Sequence, residues 1–319
     1  MKCILVMLDK SPITSITGPM EAISLANSLV KAEQRLELVL VSLDGKAVSC
    51  LGGLTLSVHG KLEDQKQADL VIIGAIGHPA LRQEAFDTSL LKWLNARHHE
   101  GSKIASICTG AFVLAASGLL NGLRATTHWQ CAALFRQRYP EVLLRSCEMV
   151  TQQERLYCSA GASAYHDISI HLIRDFFGAS VAQQCAKMIL IDADRLSQSQ
   201  YASFKPDRQH HDDVIHTLQD WLDLHFHNNF TIVDLAKQVH LSERQLKRRF
   251  KQATDESPLA YIQALRIESA KETLEGTRKT IEMISRESGY EDVRFFRQLF
   301  KRLTGLAPRD YRAKFALTR

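Results

Sequence analysis

Two stretches of the sequence place cationic and amide side chains at positions i, i+3, i+4 and i+7 of a helix. The eight residues are Arg244, Lys247, Arg248, Lys251, Arg294, Arg297, Gln298 and Lys301. On a helix in the major groove, arginine can bond O6 and N7 of guanine in bidentate fashion, and glutamine can do the same for adenine. The two stripes therefore predict contacts with double-stranded DNA.

The alternative for any single run of charges is the solvated face of a surface helix, which is the more common case. Here the run lies inside a longer repeat. The sequence pattern of the segment from Thr231 to Tyr261 recurs in the segment from Thr280 to Tyr311. Equivalent residues are 49 positions apart at the start of the segments and 50 positions apart afterwards. In each copy a short amphipathic helix precedes a tight turn and a second helix, which is helix-turn-helix spacing. Duplication of the whole pattern favours DNA binding over a solvated face.

The opposite face of each second helix is apolar and should pack against its own unit. The residues of the two apolar stripes are Leu246, Phe250, Ala253, Phe296, Phe300 and Leu303. Between the copies, Ser257 can cap a helix that begins at Pro258 and continues to Leu274. We expect this helix to be a strut that holds two recognition helices in successive segments of the major groove.

The region from Leu235 to Tyr311 resembles the AraC/XylS family of bacterial transcription regulators. The matching motifs are Leu235-Ala236, Ser242-x-Arg244-x-Leu246-x-Arg248-x-Phe250-Lys251, Ser257-Pro258-x-x-Tyr261, Gly289-Tyr290, Phe296-x-Gln298-x-Phe300-Lys301, Thr304-Gly305 and Pro308-x-x-Tyr311. The resemblance implies a DNA-binding module with two helix-turn-helix units. Gln298 stands where many members have arginine, which predicts an altered base preference in the second half-site.

A different chemical candidate is Cys108, at the predicted turn between a strand that ends at Ile107 and a helix that begins at Ala111. A thiol at a strand-helix turn, among small residues and at a helix N-terminus, is in a setting that lowers its pKa and presents a nucleophile. The alternative is a buried small apolar side chain, which is what most free cysteines are. The spacing alone leaves both interpretations open.

The elements around Cys108 alternate between apolar runs and helical patterns. Runs rich in Val, Ile and Leu occupy residues 2–8, 36–43, 69–75 and 103–107. Helical patterns occupy residues 19–32, 88–98 and 111–117. Such runs are typical of strands buried on both faces of a parallel sheet. The sequence therefore predicts an α/β doubly wound, mostly parallel sheet in the N-terminal part, followed by an all-α domain with two helix-turn-helix units.

The N-terminal part resembles the PfpI/ThiJ-like (class I glutamine amidotransferase-like) fold over residues 1–195. The motifs are Ile107 to Ala115, Gly118 to Gly122, Ala125 to Trp129, Ser159-Ala160-Gly161, Asp167 and His171 to Ile173. In pattern it is most similar to GlxA-type AraC regulators and to isonitrile hydratases. The resemblance implies a ligand pocket at Cys108 that also includes Ser15, Gly18, Thr109 and His128.

One departure from the hydratases concerns the acidic partner of the cysteine. In that family an Asp stands three residues before a Gly-Pro pair, whereas the pair that begins at Gly18 here is preceded by Ser15. A cysteine pocket without a base or an orienting acid is better suited to holding a ligand than to converting it. Asp9, Glu21 and His128 are candidate substitutes for the acid, but each is favoured as a structural or ligand-contacting group.

Composition bounds these interpretations. The 319 residues, 45% of them hydrophobic and 24% charged, suffice for two or three globular domains. Seven cysteines without a C-x-x-C pair indicate neither a disulfide framework nor a zinc cluster, so a reducing cytoplasm is expected and no metal or cofactor. The apolar run from Ile4 to Leu8 is too short for a signal peptide, and no run approaches transmembrane length. Residues 213–319 carry 19 Lys and Arg against 15 Asp and Glu, so the basic excess lies with the repeat.

These observations predict three segments: residues 1–196 as a PfpI/ThiJ-like α/β sensor domain, residues 197–213 as a flexible linker, and residues 214–319 as an AraC-type DNA-binding domain. The expected function is a non-enzymatic, cytoplasmic, homodimeric transcription regulator that a small-molecule effector controls, with RNA polymerase as a candidate partner and no membrane association. Two alternatives remain open. One is a cysteine-dependent hydratase or amidase fused to a DNA-binding domain, and the other is a thiol redox sensor, for which the sequence shows no resolving cysteine.

Overall fold

A computed structural model of the chain describes residues 1–79, 85–192, 195–206, 208 and 210–317. The chain divides into two compact units, Met1–Gln198 and Ser199–Arg319.

The first unit is built on a mostly parallel sheet. The strands of the described residues are β1 Lys2–Val6, β2 Glu37–Ser42, β3 Val48–Ser49, β4 Thr55–Leu56, β5 Gly60–Lys61, β6 Leu70–Ile73, β7 Lys103–Ile107, β8 Arg124–Ala125, β9 Leu143–Leu144, β10 Val150–Gln153 and β11 Leu156–Ser159. In these residues the main sheet has seven strands in the order β10-β11-β7-β6-β1-β2-β5, and only the β10–β11 pair is antiparallel. The predicted doubly wound, mostly parallel sheet is confirmed.

Helices cover both faces of this sheet. They are α1 Thr14–Ser28, α2 Thr88–His99, α3 Ala111–Ala116, α4 Ala132–Arg138, α5 Tyr165–Phe177 and α6 Ala179–Met188. Alternate side chains of β1 enter two separate cores: Cys3 and Leu5 pack with residues of α1, α5 and α6, whereas Ile4 and Val6 pack with residues of α2, α3 and α4. Burial of both faces explains why the strand sequences are nearly continuous apolar runs.

Helix α1 begins five residues earlier than predicted. The sequence pattern started it at Pro19, because proline favours the first turn of a helix. In the structure the turn before Pro19 is already helical, and Ser15, Ile16 and Pro19 itself are buried. Burial of this turn against the sheet outweighs the hydrogen bond that proline, which lacks an N–H, cannot donate.

The second unit is all helical, as predicted. Its helices are α7 Asp213–His225, α8 Ile232–Gln238, α9 Glu243–Thr254, α10 Pro258–Gly276, α11 Ile281–Glu287, α12 Val293–Thr304 and α13 Pro308–Phe315. Helix α10 contributes Tyr261 and Ile262 to the core of the first repeat, and Ile267 and Leu274 to the core of the second. The predicted helix is therefore present and packs with both repeats, while its role as a strut along the major groove stays a prediction. No helix within the described ranges has the length and apolar character needed to cross a bilayer.

The apolar stripe predicted for α12 is wrong at Leu303, which is 40% exposed, whereas Leu299 is 2% exposed. The side chain buried in the last turn is that of Thr304, whose hydroxyl donates to the carbonyl of Phe300 at 2.8 Å and accepts from the N–H of Leu306 at 3.2 Å. A threonine that bonds its own helix and the following turn can be buried at small cost. A search for apolar residues alone does not find it.

The segment predicted as a flexible linker makes contacts with both units. The backbone N–H of Gln198 donates to the carbonyl of Cys147 at 2.9 Å in the first unit. In the second unit the ring of Phe204 lies edge-on to Tyr261, with 5.2 Å between the ring centroids. Asp207 and Gln209, within the predicted linker, lie outside the described residues. The segment lacks apolar periodicity because single aromatic and polar contacts, rather than one continuous face, attach it.

Candidate DNA-reading helices and cysteine pocket

The eight residues predicted to contact DNA all lie on α9 and α12, and all are exposed. These are the second helices of the two repeats. Each begins at a side-chain cap: Ser242 accepts a hydrogen bond from the N–H of Gln245 at 3.3 Å, and Asp292 accepts one from the N–H of Arg294 at 2.8 Å. The buried stripe fixes the rotation of each helix, so the basic stripe faces solvent.

Acidic neighbours divide the eight residues into two groups. Three ion pairs are present: Lys247–Glu243 at 3.5 Å, Lys251–Asp255 at 2.9 Å and Arg297–Glu282 at 2.6 Å. Within the described residues, five side chains make no hydrogen bond or ion pair: Arg244, Arg248, Arg294, Gln298 and Lys301. Exposed pairs contribute only about 0–1 kcal/mol, so DNA can displace them at small cost. Four of the five unpaired side chains occupy equivalent positions 50 residues apart, Arg244 with Arg294 and Arg248 with Gln298.

Another cation of α9 has a structural role. Arg249 donates to both carboxylate oxygens of Asp212, at 2.8 and 2.6 Å. Asp212 also caps α7, since it accepts a hydrogen bond from the N–H of Ile215 at 3.1 Å. The Arg249 guanidinium holds the pKa of the Asp212 carboxyl below its ordinary value. Arg249 therefore fixes α9 against α7 and is not part of the stripe predicted to contact DNA.

The strut residue Arg266 connects the two repeats. Its guanidinium donates to the carbonyl oxygens of Phe226 at 2.6 Å, Asn228 at 2.8 Å and Gly289 at 3.0 Å. Gly289 lies in the turn between α11 and α12 with a φ of +84°, and a Cβ atom there would lie 2.6 Å from the carbonyl oxygen of His227. The turn of the second repeat thus lies directly against the loop before the first, with Arg266 bonded to both.

The turn at Cys108 resembles a nucleophile elbow, the sharp turn between a strand and a helix on which some enzymes carry their nucleophile. Unlike the nucleophile of such an elbow, the thiol of Cys108 is buried. Cys108 follows β7 with a φ of +56°, a conformation that is strained for a residue other than glycine. The hydroxyl of Thr127 donates to the Cys108 carbonyl at 2.8 Å, and that of Thr109 accepts from the N–H of Ile76 at 3.0 Å. Position 110, two residues after Cys108, requires glycine because a Cβ atom there would lie 2.6 Å from the carbonyl oxygen of Gly74.

Of the two interpretations left open for Cys108, its burial favours the buried thiol over the activated nucleophile. The residue is 6% exposed, and burial raises the pKa of the thiol to about 12 although the backbone of Thr109 bonds to it. Loss of hydration outweighs the N-terminus of a helix that is only six residues long. At neutral pH the group is therefore a neutral thiol, which is a weak nucleophile.

Ser15 and Gly18, which were predicted to line the pocket, both contact neighbouring parts of the protein. The buried Ser15 hydroxyl donates to the Pro12 carbonyl at 2.7 Å and accepts from the N–H of Ala75 at 3.0 Å. A Cβ atom at Gly18 would overlap the ring of Tyr165. Ser15 thus anchors α1 to the end of β6, in place of the acid that the hydratases use, and Gly18 accommodates an aromatic ring.

His128 supplies a polar group at the carboxyl-terminal edge of the sheet. Its Nδ1 atom accepts a hydrogen bond of 3.2 Å from the N–H of Gln130, so the proton of the neutral ring lies on Nε2. Burial, together with the nearby His78, lowers the pKa of His128. A Cβ atom at Gly161 would lie 3.0 Å from the His128 ring. Sequence reasoning did not single out His78. This residue lies two positions after the segment Gly74-Ala75-Ile76, which follows β6, and therefore at the edge of the sheet where α/β proteins bind ligands.

Gln198, assigned to the linker from the sequence, is bonded to the backbone on both sides of His128. Its side chain is buried, with 3% exposed. The amide nitrogen donates to the carbonyl of Thr127 at 2.8 Å, and the amide oxygen accepts from the N–H of Trp129 at 3.1 Å. Gln198, the last residue of the first unit, is therefore held to the loop that carries His128.

The other candidate acids are not hydrogen-bonded to Cys108 in the described residues. Asp9 accepts a hydrogen bond of 3.2 Å from the N–H of Ser49, and Glu21 is exposed on α1. Among the described residues, no three His, Cys, Asp or Glu side chains are close enough together to hold a metal ion.

Comparison with known proteins agrees with both units. Residues 12–175 match the DJ-1/PfpI family, and residues 235–314 match a helix-turn-helix domain family. The transcriptional regulator GbdR of Pseudomonas aeruginosa is 25% identical over 308 residues, which cover 96% of this chain and 82% of that protein. The transcriptional regulator CdhR of the same species is 28% identical over 278 residues, 86% of this chain and 78% of that protein.

Among solved structures, an AraC family transcriptional regulator from Pseudomonas putida has a TM-score of 0.52 at 19% identity and covers 59% of this chain and 98% of that one. At this identity the likeness supports the fold alone. With the two family matches and the relatives that share the whole arrangement, the chain belongs to the DJ-1/PfpI family and combines that domain with an AraC-type helix-turn-helix domain.

Proposed function

We infer that this chain is a sequence-specific transcription regulator that reads DNA through α9 and α12 and that responds to a small ligand in the α/β unit. The observation that carries the inference is the pair of equivalent recognition helices with free side chains at matching positions. Arg244 and Arg248 on α9 correspond to Arg294 and Gln298 on α12, and none of the four is engaged within the described residues. Arginine and glutamine are the side chains that identify guanine and adenine in the major groove.

The ligand site that we propose is the pocket edge at Cys108, Thr109 and His128. The Nε2–H of His128 is the donor side of a neutral ring whose Nδ1 is already engaged by Gln130. Because the pKa values favour a neutral imidazole and a neutral thiol, the site offers hydrogen-bond donors without a fixed charge. These groups suit a small molecule with an acceptor oxygen, such as a carbonyl or carboxyl compound.

We propose that the pocket binds this ligand without converting it. Ser15 stands in place of the hydratase acid, and its hydroxyl is used by Pro12 and Ala75. The raised pKa keeps the thiol of Cys108 protonated at neutral pH, and no base among the described residues is hydrogen-bonded to it. The relatives that match most of the chain are named as transcriptional regulators, which supports the same conclusion. The strained turn at Cys108 favours the hydratase or amidase alternative, but the buried, protonated thiol does not.

Gln198 provides the route by which the pocket can influence the rest of the chain. A ligand that shifts the backbone at His128 also shifts Thr127 and Trp129, and the backbone groups of both are bonded to the Gln198 side chain. Gln198 is the last residue of the first unit. A ligand changes DNA affinity only if it binds two arrangements of the protein with different affinities, and these hydrogen bonds can be made in one arrangement and broken in the other.

We further propose that the regulator acts in the cytoplasm as a homodimer through its α/β unit, because pairing doubles the number of recognition helices that one operator engages. RNA polymerase is the partner through which an activator of this kind would act.

The test of the function is selection of binding sites from random DNA by the purified full-length protein. We expect one preferred sequence with two half-sites on one face of the duplex. Binding that depends on salt alone, with no selected sequence, would contradict the proposal.

A further inference from the structure

Phe295, the third residue of recognition helix α12, is 44% exposed although it is large and apolar. It lies one residue after Arg294 and three before Gln298. Residues three apart are neighbours on a helix surface, so the ring borders the face that carries Gln298. Its only described ring contact is with Tyr290, at 5.9 Å between centroids. Neither burial nor a polar contact explains a phenylalanine at this place.

The first repeat uses the equivalent position differently. Gln245, 50 residues earlier, completes a capping box: its side-chain oxygen accepts from the N–H of Ser242 at 3.0 Å and from its hydroxyl at 2.9 Å. In the second repeat Asp292 caps the helix alone, accepting from the N–H groups of Arg294 at 2.8 Å and Phe295 at 3.1 Å. The side chain at position 295 is therefore free of any role in the helix start.

The exposed ring suits one chemical group of DNA. The N-terminal residues of a recognition helix contact base edges in the major groove, and the C5 methyl of thymine is the apolar group displayed there. Gln298, one turn along, is suited to adenine. We propose that Phe295 is a specificity-determining residue that contacts a thymine methyl within one or two base pairs of the adenine read by Gln298. The proposal rests on the DNA-reading function inferred above.

The test of this proposal removes only the C5 methyl group of each thymine in the DNA. Full-length protein first selects its sites from random DNA, and each thymine of the selected site is then replaced singly by uracil. We expect one replacement in the half-site bound by α12 to weaken wild-type binding about fourfold, the gain from removing one methyl-sized apolar group from water. In Phe295→Ala the affinities for the thymine and uracil versions should be equal.

Leu303→Ala is the matched control, because Leu303 is 40% exposed on the same helix. It lies eight residues further on, about 12 Å along the axis at 1.5 Å per residue, and should keep the wild-type preference for thymine. Thermal unfolding checks that both variants fold. The proposal is overturned if no uracil replacement weakens wild-type binding, or if Phe295→Ala keeps the thymine preference. A failure to select any sequence would overturn the DNA-reading function as well, which separates the two results.

Discussion

The side-chain amide of Gln198 donates a hydrogen bond of 2.8 Å to the carbonyl of Thr127, whose own hydroxyl bonds the carbonyl of Cys108 at 2.8 Å. Two hydrogen bonds thus separate the strained turn at Cys108 from Gln198, the last residue of the α/β unit. In the regulator proposed above, these two bonds are the path from the ligand to the chain beyond residue 198.

Gln198→Ala should therefore destabilise the protein and weaken its ligand response. The substitution leaves the carbonyl of Thr127 and the N–H of Trp129 without their partners, at a cost of about 1–3 kcal/mol for each buried group. Urea unfolding measures the stability, and DNA affinity with and without ligand measures the response. Ser197→Ala is the control, since the Ser197 hydroxyl makes an exposed hydrogen bond to the carbonyl of the exposed Cys147 and not to Thr127 or Trp129. Equal effects of the two variants would remove Gln198 from the route.

Cys108 should react slowly with alkylating agents at neutral pH. Burial raises the pKa of its thiol to about 12, so the reactive thiolate is scarce, whereas Cys147 is exposed. Iodoacetamide treatment of the native protein at pH 7.5, followed by peptide mass spectrometry, should label Cys147 at least tenfold faster by the general dependence of reactivity on exposure and thiolate content. Preferential labelling of Cys108 would indicate an activated nucleophile and would revive the hydratase alternative.

Arg248→Ala should weaken binding to the selected DNA site by about 1–3 kcal/mol and relax the preference at one base pair, as expected for loss of a base contact. Lys247→Ala is a matched comparison, because Lys247 precedes it on α9 and is already paired with Glu243 at 3.5 Å. That variant should weaken binding to all sequences alike. Gel-shift titrations on specific and random DNA measure both effects. An equal loss on both DNAs for Arg248→Ala would identify a phosphate contact instead.

Much of the fold could be predicted from the sequence. Apolar runs located β1, β2, β6 and β7, and the repeat located both recognition helices. Periodicity succeeds there because each element buries one face or both. Periodicity could not predict the surroundings of a single atom such as the sulfur of Cys108. The thiol pKa depends on how completely other segments cover Cys108.

The positions that sequence reasoning missed have the same explanation. Gln198 acquires its role because a distant loop, residues 127–129, folds against it, and a polar residue in a polar stretch gives no sign of such burial. Thr304 replaces the expected Leu303 in the core because its hydroxyl is satisfied by its own helix. Arg249, which was not assigned to the basic stripe, has a structural role because Asp212 lies beside it in space, 37 residues away in sequence.

The protein should lose stability as the pH falls from 7.5 to 5.5. Burial is the main cause that lowers the pKa values of His128, His166 and His171 below 6.5. The unfolded chain then binds more protons than the folded one below about pH 6.5, so stability is complete above that pH and declines beneath it. Melting temperatures at pH 7.5, 6.5 and 5.5 measure the trend, and His171→Gln should reduce its slope. A melting temperature that rises on acidification would contradict the assignment.

The central claim is that a ligand held at the Cys108 pocket controls DNA binding. The direct measurement is the Kd of full-length protein for its selected site, with and without a carbonyl or carboxyl compound identified by thermal shift. We expect the ligand to change the Kd at least about fivefold, within the usual range of allosteric coupling, to be recovered unconverted, and to have no effect on the Kd of His128→Ala, which lacks the Nε2–H donor. A ligand that is consumed by the protein, or that changes the Kd equally in wild type and His128→Ala, would contradict the account.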